Sequence, residues 1–195
     1  DNGQRDETKG GCNMMNRRRK TTDTEPEITA VPFELCPAKT YQDLQGVPQF
    51  GRSVFNHCQI VGETARALLD RIPATIRHTL FPPGSALQAA LHDIGKVSPV
   101  FFLKLQCAVE GEQSSWLQRM PQFRAIQERD WGGHAGVSEL ALAAITNNPF
   151  VPRVAGQHHG FNPPDAMLSA SAKQLGGKSW QAERCRLVEE LQRVM

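Results

Sequence analysis

The sequence predicts a nearly all-α fold, and three observations carry the prediction. Apolar residues recur at three- and four-residue steps over residues 53–72, 85–94 and 178–195, the spacing that gathers them on one helix face. No stretch shows the sustained alternation of apolar and polar residues that marks a half-buried strand. Prolines and glycines such as Pro73, Gly160 and Pro163 close the periodic segments.

Composition bounds what such a fold can be. A chain of 195 residues, 39% of them hydrophobic, suffices for one good core. With 22 basic and 20 acidic residues the net charge is +2. That balance neither requires nor excludes a nucleic-acid partner, so any basic groove must come from local clustering. No apolar run approaches the ~20 residues that span a bilayer, and the polar N-terminus leads to the expectation of no signal peptide; no membrane partner is expected. The five cysteines, Cys12, Cys36, Cys58, Cys107 and Cys185, are odd in number and form no CxxC pair. Reduced thiols in a cytoplasmic protein are the expectation.

Residues 1–30 are polar, carry both signs of charge and are expected to be a flexible arm. Its Arg17-Arg18-Arg19-Lys20 run reads as a solvated basic stretch. Residues 31–195 are expected to form one domain. Residues 31–53, with Pro32, Pro37, Gly46, Pro48 and Gly51, form an irregular lead-in, and Lys39 is assigned to the surface. The first helix covers 53–72, capped by Ser53, with Val54, Cys58, Val61, Ala65, Leu68 and Ile72 as its apolar stripe. His57 lies at the edge of that stripe. Taken alone, such a histidine is more often bonded to a backbone carbonyl than to a metal. His78 falls in a polar stretch and is assigned to the surface.

A second helix starts at Ser85, where Gln88 completes a capping-box pattern. Leu87, Ala90, Leu91 and Ile94 form its inner face, His92 and Asp93 its last turn, and Gly95 the left-handed position that commonly follows a helix. Pro99, Phe101, Phe102 and Leu103 continue the core. Residues 104–133 are the least organised; Trp116, Leu117, Met120, Phe123 and Ile126 suggest one or two short helices in an insertion over the site. Gly133 leads into a helix with His134 at its start, Val137, Ala141, Ala144 and Ile145 inside, and Ser138 on the side of His134. Ser138 either hydrogen-bonds a ligand or substrate phosphate or is an ordinary helix-surface serine. A short helix over 151–160 ends in His158-His159, and Gly160 stops it. Trp180, Leu187, Val188, Leu191 and Val194 line one face of the last helix.

The chemistry is concentrated at Leu91 to Lys96, LHDIGK. Adjacent imidazole and carboxylate are two metal ligands of hard to intermediate character. The two oxygens of Asp93 allow it to bridge two ions, and Lys96 offers a point charge to a phosphate. The chain has six histidines, and His57, His92, His134, His158 and His159 all fall in helical or helix-end segments.

In order and spacing, the segments FNHCQIVGETA, ALHDIGKVSPVF, GGHAGVSELAL and VAGQHHGF resemble the HD nuclease domain of the CRISPR-associated nuclease-helicase of type I systems, a branch of the HD metal-dependent phosphohydrolases. The resemblance covers roughly residues 36–195, and HDIGK and QHHGF are its most specific parts. It implies an all-α HD-domain bundle with a metal site at converging helix ends. It implies two divalent transition-metal ions, with iron, manganese, cobalt, nickel and zinc all compatible with the donors. His57, His92 and Asp93 would hold one ion, and Asp93, His134, His158 and His159 the other. Asp93 and Lys96 would be catalytic, with Lys96 and Ser138 facing the substrate.

The implied activity is cleavage of single-stranded DNA in antiviral defence, with a helicase in the same or a separate chain and a guide-RNA surveillance complex as partners. The family places a further aspartate ligand well downstream of the histidine pair. Here the only aspartate after His159 is Asp165, close by in a proline-rich turn. The chain is therefore expected to be the N-terminal part of a larger nuclease-helicase, with an incomplete first metal position. Two other readings stay open: a nucleotide or cyclic-nucleotide phosphohydrolase of the same superfamily, and an inactive metal-binding recruitment module.

Overall fold

A computed structural model describes residues 29–126, 133–160 and 175–195. All but the last two residues of the expected arm over 1–30, part of the insertion and Asp165 lie outside the described residues. The described chain is mostly helical. Its α-helices are α1 (Val54–Leu69), α2 (Ala74–Leu80), α3 (Ser85–Ala90), α4 (Pro99–Glu110), α5 (Ser115–Arg119), α6 (Gly133–Ala143), α7 (Phe150–Gly156) and α8 (Gly177–Val194), and a six-residue 3-10 helix, Leu91–Lys96, joins α3 towards α4.

The lead-in contains strands that the sequence did not announce. β1 (Thr40–Gln42) and β2 (Pro48–Phe50) pair antiparallel, with Tyr41 opposite Gln49. Three residues are too few to show a period of two. The hairpin is set instead by its turn: the Asp43 carboxylate accepts the Gln45 and Val47 N–H groups, and Gly46 takes φ 78°.

Ser53 caps α1 as expected, its hydroxyl accepting the Asn56 N–H. The buried stripe is rotated from the expected one. Val54, Cys58 and Gly62 face inward while Leu68 is 62% exposed. Gly62 decides this, because a Cβ there would lie within 2.8 Å of Ala90 and Met195. Only a glycine lets α1 approach α3 and the end of α8 so closely. The expected capping box at Ser85 does not form. Gly84, at φ 89°, occupies the cap position; Ser85 donates to the Pro82 carbonyl and Gln88 to the Val151 carbonyl on α7. His78 is exposed, as assigned.

The core is built from Val54, Ile94, Phe102, Leu142, Trp180, Leu187 and Leu191, contributed by α1, the 3-10 helix, α4, α6 and α8. In the insertion, Leu117, Met120 and Phe123 are buried and Trp116 packs edge-on against Phe102, so these side chains serve the core. Among the described residues no helix is long and apolar enough to cross a membrane.

Two cysteines sit in this core without solvent access, Cys36 and Cys58. Burial pushes the Cys36 thiol up to about 12, helped by Glu183 and Glu34, and burial also raises Cys58. The reactive thiolate is therefore absent at neutral pH. In the native chain, alkylation followed by mass spectrometry should spare Cys36 and Cys58 and label them only after unfolding. Native-state labelling of Cys58 at the unfolded rate would show that the α1–α3 contact opens.

Candidate metal centre

The centre forms where one end of α6, the end of α7, the first turns of α1 and the Leu91–Lys96 helix meet. The backbone at Asp93 (φ −111°, ψ 15°) breaks helical geometry inside that 3-10 helix. The expected last turn of an α-helix is thus a tightened, kinked turn. The tightening aims His92 and Asp93 at one point. Gly95 is not in the left-handed region. It is needed because α6 lies directly on it: an added Cβ would be 2.5 Å from the Ser138 nitrogen and nearer still to the His134 carbonyl oxygen.

Asp93 is buried, and five side chains address its carboxylate. His57 Nε2 and His92 Nε2 each lie 2.9 Å from Oδ2, and Lys96 Nζ lies 2.7 Å from the same oxygen. His134 Nε2 and His158 Nε2 lie 3.2 and 3.4 Å from Oδ1. His159 joins through His134, with their Nε2 atoms 3.0 Å apart. The structure thus gathers all six expected metal ligands and Lys96. They fall into two groups, His57-His92-Asp93 and His134-His158-His159, each with donor atoms within 4.8 Å of one another.

The tautomers of two histidines follow from their partners. His92 Nδ1 lies 2.7 Å from the Ala89 carbonyl and His158 Nδ1 2.6 Å from the Ala155 carbonyl. A carbonyl only accepts, so each Nδ1 carries the proton and each Nε2 turns a lone pair to the centre. Burial pushes the Asp93 carboxyl up, but His134, His158, His57 and His92, whenever their facing Nε2 atoms carry protons rather than a metal ion, outweigh it and hold it far below the usual carboxylate range. Burial, with His158 and His134 beside it, holds the His159 imidazole below its ordinary value and favours the neutral ligand form.

The donor set fits divalent metal. Asp93 Oδ1 and His158 Nε2 are buried and lack a hydrogen-bond partner of acceptable geometry. Two acceptors facing each other across 3.4 Å are expensive unless a cation lies between such groups. Imidazole and carboxylate together match transition-metal preferences.

Ser138 is placed differently from the substrate-facing expectation. It is fully buried, and its hydroxyl accepts the Gly95 N–H at 2.9 Å. It therefore fastens α6 to the Asp93 turn and has no access to a phosphate. Phe101 walls the centre, 5.3 Å ring to ring from His134 and 5.6 Å from Lys96 Nζ. Lys39 is exposed, as assigned.

One residue escaped the sequence reading. Arg184 is 1% exposed and donates to the Val97 carbonyl, just past the LHDIGK turn. Its signal was present: Trp180, Arg184, Leu187 and Leu191 follow helical spacing, with an arginine in the apolar stripe.

The family model described as Cas3, HD domain matches residues 38–195, more than half of the chain. No curated protein and no solved structure matches it.

Proposed function

The chain belongs to the Cas3 HD-domain family, a CRISPR-associated family of HD nucleases, and from that premise we propose that it cuts single-stranded DNA internally with divalent metal ions held by His57, His92, Asp93, His134, His158 and His159. One observation carries the reading: the two oxygens of Asp93 face different histidines, Oδ2 towards His57 and His92 and Oδ1 towards His134 and His158. This is what a carboxylate shared between two ions requires.

When bound, the ions supply an activated water and neutralise charge during in-line displacement at phosphorus. The protein's own part is orientation. The Ala89 and Ala155 carbonyls fix the His92 and His158 rings, and the Ser138 hydroxyl fixes Gly95 and so the turn that bears Asp93. Lys96 rests on Asp93 and carries the positive charge nearest to where a scissile phosphate would approach; its role is to offset charge developing there. The exposed His159 marks the side from which a strand would reach the centre. A helicase, in the same or a separate chain, would deliver that strand, and a guide-RNA surveillance complex would mark the target.

The test is a metal-screened assay on circular single-stranded DNA beside a nucleotide-hydrolysis assay. Internal cutting of the circle with manganese, iron, cobalt or nickel is the expected result. Binding should weaken as salt rises, because each phosphate contact releases counterions. Fast hydrolysis of free nucleotides with an intact circle would move the chain to the nucleotide phosphohydrolases. Metal uptake with neither activity would make it a recruitment module.

A further inference from the structure

Arg184 and Gln181, on one face of α8, reach three backbone carbonyls. Arg184 Nη1 donates to Val97 O at 2.8 Å and to Leu175 O at 3.2 Å. Arg184 Nε donates to the Gln181 amide oxygen Oε1 at 2.9 Å, and Gln181 Nε2 donates to Ala141 O at 3.3 Å. Val97 caps the turn that carries His92, Asp93 and Lys96. Ala141 belongs to α6, the helix that carries His134. Two joined side chains of α8 therefore tie the Asp93 turn to the His134 helix through backbone carbonyls, apart from the metal donors' own contacts.

Stability is a poor account of this arrangement. Among these partners of Arg184 there is no carboxylate. A buried charge of this kind is costly, and apolar residues of similar volume commonly replace buried ionic groups without loss. What the guanidinium offers is a rigid fork that fixes several acceptors at once. Of the carbonyls it reaches, Leu175 O anchors the lead into α8, while Val97 O directly and Ala141 O through Gln181 belong to the two segments whose relative placement sets the distance between Asp93 and His134.

We infer that Arg184, with Gln181, is a positioning residue for the metal centre: it sets the spacing between the Asp93 turn and the His134 helix. This inference rests on the metal reading above. Neither side chain touches a donor atom, so the effect is transmitted through the Val97 and Ala141 carbonyls. Groups that orient metal ligands typically change metal affinity by about 10- to 100-fold when removed, and that is the size expected here.

The experiment uses the whole chain loaded with cobalt(II), whose visible absorption reports coordination geometry. Affinity and spectrum are compared for the wild type, Arg184→Met, Arg184→Lys, Gln181→Ala and Leu187→Ala, at a temperature where circular dichroism shows each to be folded. Leu187 is fully buried on the same helix but touches none of these carbonyls through hydrogen bonds, so Leu187→Ala controls for lost stability. The expected result is a cobalt affinity about 10-fold or more lower in Arg184→Met with an altered spectrum, partial recovery in Arg184→Lys, and wild-type binding in folded Leu187→Ala. Should Arg184→Met not fold, Gln181→Ala decides, since that half-buried side chain removes only the branch to Ala141; it should lower affinity and shift the spectrum in the same sense. A wild-type spectrum and affinity in the folded variants would overturn the positioning role alone. Absence of cobalt binding in the wild-type chain would overturn the metal reading and this inference with it.

Discussion

Asp93→Asn is expected to abolish metal uptake and nuclease activity together while leaving helical content intact. The substitution keeps shape and volume but removes the negative charge that His57, His92, His134, His158 and Lys96 all address. Groups one shell further out already cost about 10- to 100-fold in affinity or activity when lost. A ligand shared by both donor groups should cost at least the upper end of that range, in practice reducing cleavage to background. The fold should survive, because Lys96 keeps 13% of its side chain exposed and can turn its head group to water. Calorimetry gives a second readout. Metal at 100 times its Kd stabilises the wild type by about 2.7 kcal/mol for one site, which is roughly 5–10 °C in Tm for a chain of this size. Asp93→Asn should show no such rise. Wild-type cleavage by Asp93→Asn would sink the shared-carboxylate reading.

Gly95→Ala should be strongly damaging for a single added methyl. The added carbon would overlap the His134 carbonyl oxygen and the Ser138 nitrogen, both backbone atoms of α6 that cannot rotate aside. Overpacking of this kind costs about 1–3 kcal/mol and occasionally more, or roughly 2–12 °C in Tm for this length. Relief requires α6 to move away from the Asp93 turn, which carries His134 off its 3.2 Å approach to Asp93. Metal affinity should therefore fall even where the variant is fully folded. Gly46→Ala is the contrast. It has open space but a φ of 78°, so it should lose about 1–2 kcal/mol from backbone strain while binding metal normally. Equal metal binding by Gly95→Ala and Gly46→Ala would show that the α6 contact does not set the centre.

Sequence by itself determined most of the helical plan and the chemistry. The three- and four-residue apolar periods located α1 and α8, and Ser53 declared its own cap; the 151–160 helix was placed correctly but ends early, at Gly156, so that His158 and His159 sit in the turn that leads to Gly160 at φ 85°. These are local properties: a helix face and a cap are fixed by residues within a turn or two. The six candidate donors were legible because five of the chain's six histidines fall in such segments and one of them adjoins Asp93, and the family resemblance supplied their grouping.

Only the tertiary structure decided the rest. Which side of α1 is buried depended on Gly62 meeting Ala90 and Met195, residues distant in the chain. Gly95 looked like a helix stop but is a point of close approach for α6, and Ser138 looked open to substrate but is spent on the Gly95 N–H. Arg184 fits a helical period as an anomaly, and its purpose appears only once Val97 lies against it. In each case the deciding contact joins segments tens of residues apart, and a pattern read along the chain carries no distance between such segments. The sequence therefore names the candidate ligands, while the packing of α6 against the Asp93 turn brings them within reach of one another.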